Sequence, residues 1–139
     1  VTDMPDIRDI ANIPGMTSGK KHILVIDDDA RMLKVIKLHL HEKYDVATAI
    51  SGKIALKFLE TKHTDLILLD YAMPDENGLV VLEKLRANPS TKNIPVIFLT
   101  GITDRKKIQE ALVMKPQGYL LKPINRKRLL AAIQNILEA

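Results

Sequence analysis

Three short runs of this chain are almost wholly apolar, and they constrain its fold more than any other feature. They are HILVI at 22–26, DLILLD at 65–70 and IPVIFLT at 94–100. A strand with one face in water alternates apolar and polar residues, so a continuous apolar run is typical of a strand covered on both faces. The three runs therefore predict a sheet that lies between two layers of helices.

Segments of helical periodicity separate these strands, and the alternation predicts how the sheet is connected. The predicted strands are 22–26, 44–49, 65–70, 94–100 and 118–122, and the predicted helices are 30–43, 51–62, 77–88, 104–114 and 125–139. Strands that alternate with helices are typical of a parallel sheet with right-handed crossovers. Five such units predict an α/β, flavodoxin-like (βα)5 three-layer sandwich whose strand order is 2-1-3-4-5.

Some helix residues have an expected place. Ser51 and Asn125 stand at the start of two of these helical segments, and we expect their side chains to cap the helices. In the fourth helix we expect Ile108, Ala111 and Leu112 to face the core.

Composition divides the chain into a leader and one domain. Residues 1–19 hold two prolines, two glycines and no sustained helical or strand period, so we interpret them as a leader or linker and 20–139 as a single domain. The chain has no cysteine, which excludes disulfides and thiolate metal sites. No apolar run approaches the roughly 20 residues of a membrane span, and no signal peptide is recognisable. We therefore expect no membrane insertion and a cytoplasmic location.

The net charge of +4 is distributed unevenly. Residues 1–19 carry three Asp and one Arg, a sum of −2, so the remainder carries +6. Much of the excess lies in DRKK at 104–107 and NRKR at 125–128, which form either a solvated helical surface or a docking face for an acidic partner. Direct nucleic-acid binding is disfavoured, because stacking aromatics and a long basic stripe are missing.

Polar residues whose side chains can react or bind a metal stand where the predicted strands end. They are Asp27, Asp28 and Asp29 after the first strand, Asp70 after the third, Thr100 after the fourth and Lys122 after the fifth. Because the carboxyl ends of parallel strands share one edge of the sheet, these side chains are expected to lie together.

The chemistry of that set points to a metal and a phosphoryl group. Carboxylates in close contact raise each other's pKa unless a cation holds them ionised, and oxygen ligands without His or Cys suit Mg²⁺. A carboxylate can also attack phosphorus and form an aspartyl phosphate. A metal, an ammonium and a hydroxyl would then neutralise the phosphoryl oxygens.

With these residues in place, the chain resembles the receiver domain of bacterial two-component response regulators of the chemotaxis-receiver kind. The matching motifs are ILVIDDD, LILLDYAMPDENG, IPVIFLTG and GYLLKP, in the order and spacing of the family. The resemblance covers nearly all of residues 20–139. It implies a phosphoacceptor domain in a two-component system or phosphorelay, which assists its own phosphorylation and dephosphorylation but turns over no external substrate.

The resemblance implies a role for each site residue. Asp70 is the expected phosphoacceptor. Mg²⁺, with Mn²⁺ as an alternative, would be held by Asp28 directly, by Asp27 mainly through water, by Asp70 and by the backbone carbonyl of Ala72. Thr100 is the expected switch hydroxyl, Lys122 its ammonium partner at the phosphoryl group, and Tyr119 the switch aromatic that moves inward. The Lys122–Pro123 bond is expected to be cis, and Asp29 is better explained as a helix N-cap than as a ligand.

Partners and output follow from the same resemblance. The phosphoryl group would come from a sensor histidine kinase or a His-phosphotransfer protein. The readout would be a shift in the face formed by the fourth helix, fifth strand and fifth helix, recognised by an output protein or a fused output domain. A monomer or a phosphorylation-dependent dimer fits this scheme. The apolar pair Ala72 and Ile102 offers no group to orient water, which predicts slow self-dephosphorylation.

Three other classes of protein compete with this interpretation. A phosphohydrolase of the haloacid-dehalogenase type needs a second Asp two residues after the nucleophile, where this chain has Ala72. A flavodoxin needs a Ser/Thr/Gly-rich phosphate loop after the first strand, where this chain has DDDAR. A degenerate receiver that acts only as an interaction module would have lost a site residue, and each expected residue is present.

Overall fold

The computed structural model describes residues 19–74, 76–101 and 105–138, and for Arg105 and Ile108 it describes the backbone alone. The strands are β1 (Lys21–Ile26), β2 (Tyr44–Ala49), β3 (Leu66–Asp70), β4 (Val96–Thr100) and β5 (Gly118–Leu121). The helices are α1 (Ala30–Leu40), α2 (Gly52–Leu59), α3 (Gly78–Ala87), α4 (Arg105–Val113) and α5 (Arg126–Leu137). Nearly all of the predicted leader, 1–18, and Ile102 lie outside the described residues.

The five strands form one parallel sheet, and its order β2-β1-β3-β4-β5 confirms the predicted topology. Every residue of β3 and β4 is buried. This burial explains the continuous apolar runs in the sequence. Helices cover both faces of the sheet, so a strand side chain contacts a helix whichever face it lies on. The edge strand β5 instead alternates between half-buried and exposed positions.

Two apolar cores lie on opposite faces of the sheet. One core joins the sheet to α2, α3 and α4 through Ala55, Val81, Leu82, Leu85 and Ala111. The other joins it to α1 and α5 through Leu33, Ile36, Leu40, Leu129 and Ile133. Successive strand residues alternate between the cores, as Leu68 and Leu69 do in β3. The three layers are therefore held by aliphatic burial on both sides.

Side-chain caps start the helices at the predicted places. Asp29, Ser51 and Asn125 each accept a hydrogen bond from a backbone N–H in the first turn of α1, α2 and α5. Asn77 caps α3 in the same way. Such caps satisfy N–H groups that have no partner inside the helix. All four caps come directly before or close to the edge where the strands end, so they also fix the loops there.

One core assignment was wrong. Ala111 of α4 is buried as predicted, but the neighbouring Leu112 is 45% exposed. Leu112 lines a small, partly open cavity together with Tyr119, so the core covers its side chain only in part. The Ile108 side chain lies outside the described residues.

No helix in the described part of the chain is long and apolar enough to cross a membrane.

Candidate functional site

The sheet brings the predicted polar residues to one edge. Asp27 follows β1 directly, while Asp70 and Thr100 are the last residues of β3 and β4. In the register, Ile26 pairs with Leu69, and Asp70 pairs with Leu99. The three carboxyl ends are therefore level, and the residues that follow them meet above the sheet.

Three carboxylates converge at this edge. Asp27, Asp28 and Asp70 each offer an oxygen atom, and these atoms lie within 4.8 Å of one another. Asp27 and Asp70 are buried, whereas Asp28 is exposed. Asp29 points elsewhere, because its carboxylate accepts the Arg31 N–H at 2.9 Å as the cap of α1. The prediction that Asp29 caps a helix is confirmed, and Asp27 and Asp28 lie beside Asp70 as expected, while their roles as metal ligands stay predictions.

Lys122 joins the two buried carboxylates. Its Nζ donates to Asp27 Oδ2 at 3.0 Å and to Asp70 Oδ1 at 3.2 Å. The Lys122 backbone N–H donates to the Thr100 carbonyl at 2.8 Å, which holds this residue level with the end of β4. The Lys122–Pro123 peptide is cis, as predicted. The sequence predicted that Lys122 would bind the phosphoryl group, but it did not predict the hydrogen bond to Asp27. The two residues are 95 positions apart, and no local sequence pattern indicates such a contact.

Asp27 is fixed on both of its oxygen atoms. Oδ2 accepts from Lys122, and Oδ1 accepts the Asp29 N–H at 2.9 Å. A fully buried carboxylate needs such partners, because its desolvation is otherwise very costly. These two hydrogen bonds therefore hold the Asp27 side chain in one position beside Asp70.

The electrostatics single out Asp70. Burial and the charge of Asp27 raise the pKa of Asp70 to about 7, and Lys122 only partly offsets this. For Lys122, burial lowers the pKa, but the hydrogen bond to Asp27 and the charges of Asp70 and Asp27 outweigh it, so the pKa is raised. The cluster thus holds more negative charge than one ammonium neutralises.

The donor set fits a hard divalent cation. All three groups are carboxylates and Asp28 is accessible from solvent. A bound cation would counter the charge of Asp27, which together with burial raises the pKa of Asp70. A cleft of about 270 Å³ opens beside Asp28, between the β2–α2 and β3–α3 loops. Ala72 is exposed in the β3–α3 loop, two residues beyond Asp70, and the ligand role of its carbonyl stays a prediction.

Thr100 and Tyr119 border a second, smaller space. A cavity of about 20 Å³ lies between them, walled also by Tyr71, Phe98 and Leu112. Thr100 is buried, while Tyr119 of β5 is 44% exposed. Tyr71 and Phe98 meet edge to face at 5.6 Å and form the floor. Tyr119 therefore borders a space that also reaches Thr100 and Leu112 of α4.

The loop that covers the site is held by contacts that sequence reasoning did not name. The Gly78 N–H donates to the Tyr71 carbonyl at 2.7 Å, and Glu76 forms an ion pair with Lys84 at 2.6 Å. A Cβ on Gly78 would lie 2.5 Å from the Asp70 carbonyl oxygen. The motif ending in Gly78 was visible in the sequence, but the close approach that demands glycine was not.

Comparison with known proteins agrees with this architecture. The family model of the response regulator receiver domain matches residues 23–134. Response regulator PleD of Caulobacter vibrioides is 34% identical over 115 residues, covering 82% of this chain and 25% of that protein. Response regulator ArlR of Staphylococcus saprophyticus is 34% identical over 116 residues, covering 83% of this chain and 51% of that protein. The chain thus spans about a quarter to a half of the length of these curated relatives.

Solved structures show the same fold. The chemotaxis protein CheY4 of Vibrio cholerae superposes with a TM-score of 0.80 at 29% identity, covering 85% of this chain and 99% of that one. A receiver domain of a signal transduction histidine kinase from Syntrophus aciditrophicus gives 0.79 at 27% identity, covering 85% and 90%.

The chain belongs to the response regulator receiver domain family. It is a receiver domain of two-component signal transduction, and its fold is that of the chemotaxis receivers. The family is a signalling domain and not a class of metabolic enzyme. The phosphohydrolase and flavodoxin alternatives are therefore not favoured.

Proposed function

We propose that Asp70 accepts a phosphoryl group from a sensor histidine kinase or a His-phosphotransfer protein, with Mg²⁺ bound at Asp27, Asp28, Asp70 and the Ala72 carbonyl. The observation that carries this proposal is the convergence of Asp27, Asp28 and Asp70 at one strand edge, with Lys122 bridging two of them. Such a set has the nucleophile and the neutralising groups of phosphoryl transfer in one place.

The chemical step is a displacement at phosphorus. A carboxylate oxygen of Asp70 forms a bond to phosphorus while the bond from phosphorus to the donor nitrogen breaks, and the nitrogen keeps the electron pair. The donor reacts with its other ring nitrogen protonated, so the products are an acyl phosphate on Asp70 and the neutral imidazole of the donor. Lys122, now 3.2 Å from Asp70, is positioned to transfer a hydrogen bond to a phosphoryl oxygen. Mg²⁺, or Mn²⁺, supplies positive charge for the phosphoryl oxygens when bound.

The proposed readout links this step to the surface. The hydroxyl of Thr100 gains a phosphoryl acceptor, and Tyr119 then moves into the space between Thr100 and Leu112. Because Lys107, Ala111 and Leu112 of α4 line that space, the movement changes the contacts of α4. The face of α4, β5 and α5, which carries exposed Lys106, Lys107 and Arg128, would shift between two states biased by the phosphoryl group.

The wider setting is part of the proposal. A cytoplasmic location, an output protein or fused output domain, and a monomer or phosphorylation-dependent dimer fit a receiver of this kind. The domain would assist its own phosphorylation and dephosphorylation. The leader at 1–19 and the receiver at 20–139 remain the proposed division of the chain.

Intact mass after incubation with acetyl phosphate and Mg²⁺ tests the proposal. We expect one added phosphoryl group in the wild type, and none in Asp70→Asn or in EDTA. Beryllofluoride with Mg²⁺ serves as a stable mimic where rapid hydrolysis removes the group. If neither the phosphodonor nor the mimic binds to the wild type, phosphoryl acceptance is excluded and the domain acts as a phosphorylation-independent interaction module.

A second prediction separates phosphorylation from its readout. In Thr100→Ala we expect beryllofluoride to bind at Asp70, while the ring resonances of Tyr119 keep their metal-free shifts. In the wild type the same resonances should move, since the ring enters a more buried environment. Tyr44, buried in the opposite core, is the internal control. A Tyr119 shift of equal size in both proteins would show that Thr100 does not couple the site to the ring.

A further inference from the structure

The outward face of α1 combines exposed apolar and basic side chains. Leu38 is 69% exposed and Val35 is 43% exposed, although both are large aliphatic residues on a well-packed helix. Arg31, Lys34 and Lys37 are exposed around them, and Ala30–Leu40 contains no acid. This face is distinct from the phosphoacceptor edge and is not used in the proposed function.

A shallow, open cleft lies across this face. It has a volume of about 410 Å³, and Lys34, Lys37, Leu38 and His41 line it. The aliphatic stems of lysines cover apolar surface while their ammonium groups stay in water. The cleft therefore suits an occupant with apolar side chains flanked by acids.

The chain itself carries a segment of that composition. In residues 1–16 an apolar side chain recurs at every third position, at Val1, Met4, Ile7, Ile10, Ile13 and Met16. Asp3, Asp6 and Asp9 each stand directly before one of these, and Arg8 is the only base. Acidic and apolar residues are thus neighbours along the segment. In the cleft, Lys34 and Lys37 are in the same way neighbours of the apolar Leu38.

The segment joins the domain beside the cleft. Lys21, the first residue of β1, pairs with Tyr44, which follows the turn after α1. Lys20 Nζ donates to the His41 carbonyl at 3.2 Å, and His41 lines the cleft. The segment is therefore tethered within a few residues of this surface, which corresponds to an effective concentration in the millimolar range. A weak contact is populated at such a concentration.

We propose that residues 3–13 of this chain dock in cis on the basic, apolar face of α1, with the apolar residues in the cleft at Leu38 and the Asp side chains at Lys34 and Lys37. The docked segment covers apolar surface that α1 otherwise exposes. Since the ion pairs are at the surface, salt weakens the contact.

Paramagnetic relaxation enhancement tests this directly, because the chain has no cysteine of its own. A nitroxide on Thr2→Cys of the full chain should remove more than half of the amide signal intensity at residues 34–41. Residues of α2, on the other face of the sheet, should keep theirs. The loss at α1 should shrink in high salt and in Lys34→Glu/Lys37→Glu. The matched control Lys53→Glu/Lys57→Glu makes the same charge change on exposed residues of α2 and should leave the loss intact.

Three outcomes would overturn the proposal. One is uniform weak broadening over the surface, which would indicate no docking. Another is strong broadening centred on a different element. The third comes from a mixture of two chains, one isotope-labelled without nitroxide and the other unlabelled with nitroxide. Broadening of α1 signals in that mixture would show that the cleft binds the segment of a second copy.

Discussion

Gly78→Ala destabilises the domain by about 2–3 kcal/mol, the upper range for overpacking a closely packed site. A Cβ at this position would lie 2.5 Å from the Asp70 carbonyl oxygen and 2.9 Å from Tyr71 Cα. Both contacts are with backbone, so no flexible side chain can move away. Helix propensity alone predicts the opposite sign, because Ala is favoured over Gly by roughly 1 kcal/mol inside a helix. Urea unfolding of the two proteins measures which effect is larger.

Gly118→Ala is the matched control for this substitution. The Cβ there would meet only Ile97 Cγ1, at an ordinary 3.9 Å. We expect no loss of stability and a gain of up to about 1 kcal/mol, because glycine inside a strand is less favourable than alanine by that amount. Because Gly78 contacts the backbone of Asp70, its alanine variant should also take up less phosphoryl group than the wild type. Equal stability of Gly78→Ala and wild type would mean that the loop relaxes freely.

Asp70→Asn stabilises the metal-free domain at pH 8 and has little effect near pH 4. The pKa of Asp70 is raised to about 7 in the folded state, above its unfolded value of 3.8. The folded protein therefore binds more protons than the unfolded chain between these values, and stability falls as the pH rises through that window. One pKa unit corresponds to about 1.4 kcal/mol, so the gain from removing the charge is on the order of 2–4 kcal/mol above pH 7.

Asp65→Asn is a control of opposite sign. Burial raises the pKa of Asp65, but hydrogen bonds from the His22 backbone and from His63 outweigh it, so the pKa is lowered. Its charge therefore stabilises the fold above the unfolded pKa, and that contribution is lost as the pH falls through the lowered value. The asparagine variant should accordingly lose stability at pH 8. Urea unfolding in EDTA at pH 4 and 8 compares the two variants, and a gain for Asp70→Asn that is equal at both pH values would contradict the charge argument.

Added Mg²⁺ links this result to the proposed metal site. A cation that binds only the folded state stabilises it by mass action. We expect Mg²⁺ to raise the unfolding midpoint of the wild type at pH 8 by more than that of Asp70→Asn, since the variant lacks one carboxylate ligand. Equal shifts in both proteins would remove Asp70 from the ligand set.

The sequence by itself determined the order of the elements, the edge at which the site forms, and the helix caps. Continuous apolar runs report burial on both faces, and Ser51 and Asn125 report helix starts, because each of these signals depends on residues close together in the chain. The convergence of Asp27, Asp28 and Asp70 could be predicted for a similar reason. Once the strands are parallel, the residues that follow them share an edge.

Only the tertiary structure shows the contacts and exposures that are set by the distance between segments far apart in the chain. The Lys122–Asp27 bridge, the lack of space at Gly78 and the exposure of Leu112 each depend on how far one element stands from another. Hydrophobic periodicity cannot give that distance, because it records which face of an element is apolar and not how closely a neighbour approaches it. For the same reason α1 was expected to run to 43 but ends at Leu40. The turn at 41–43 is needed to return the chain for the pairing of Tyr44 with Lys21.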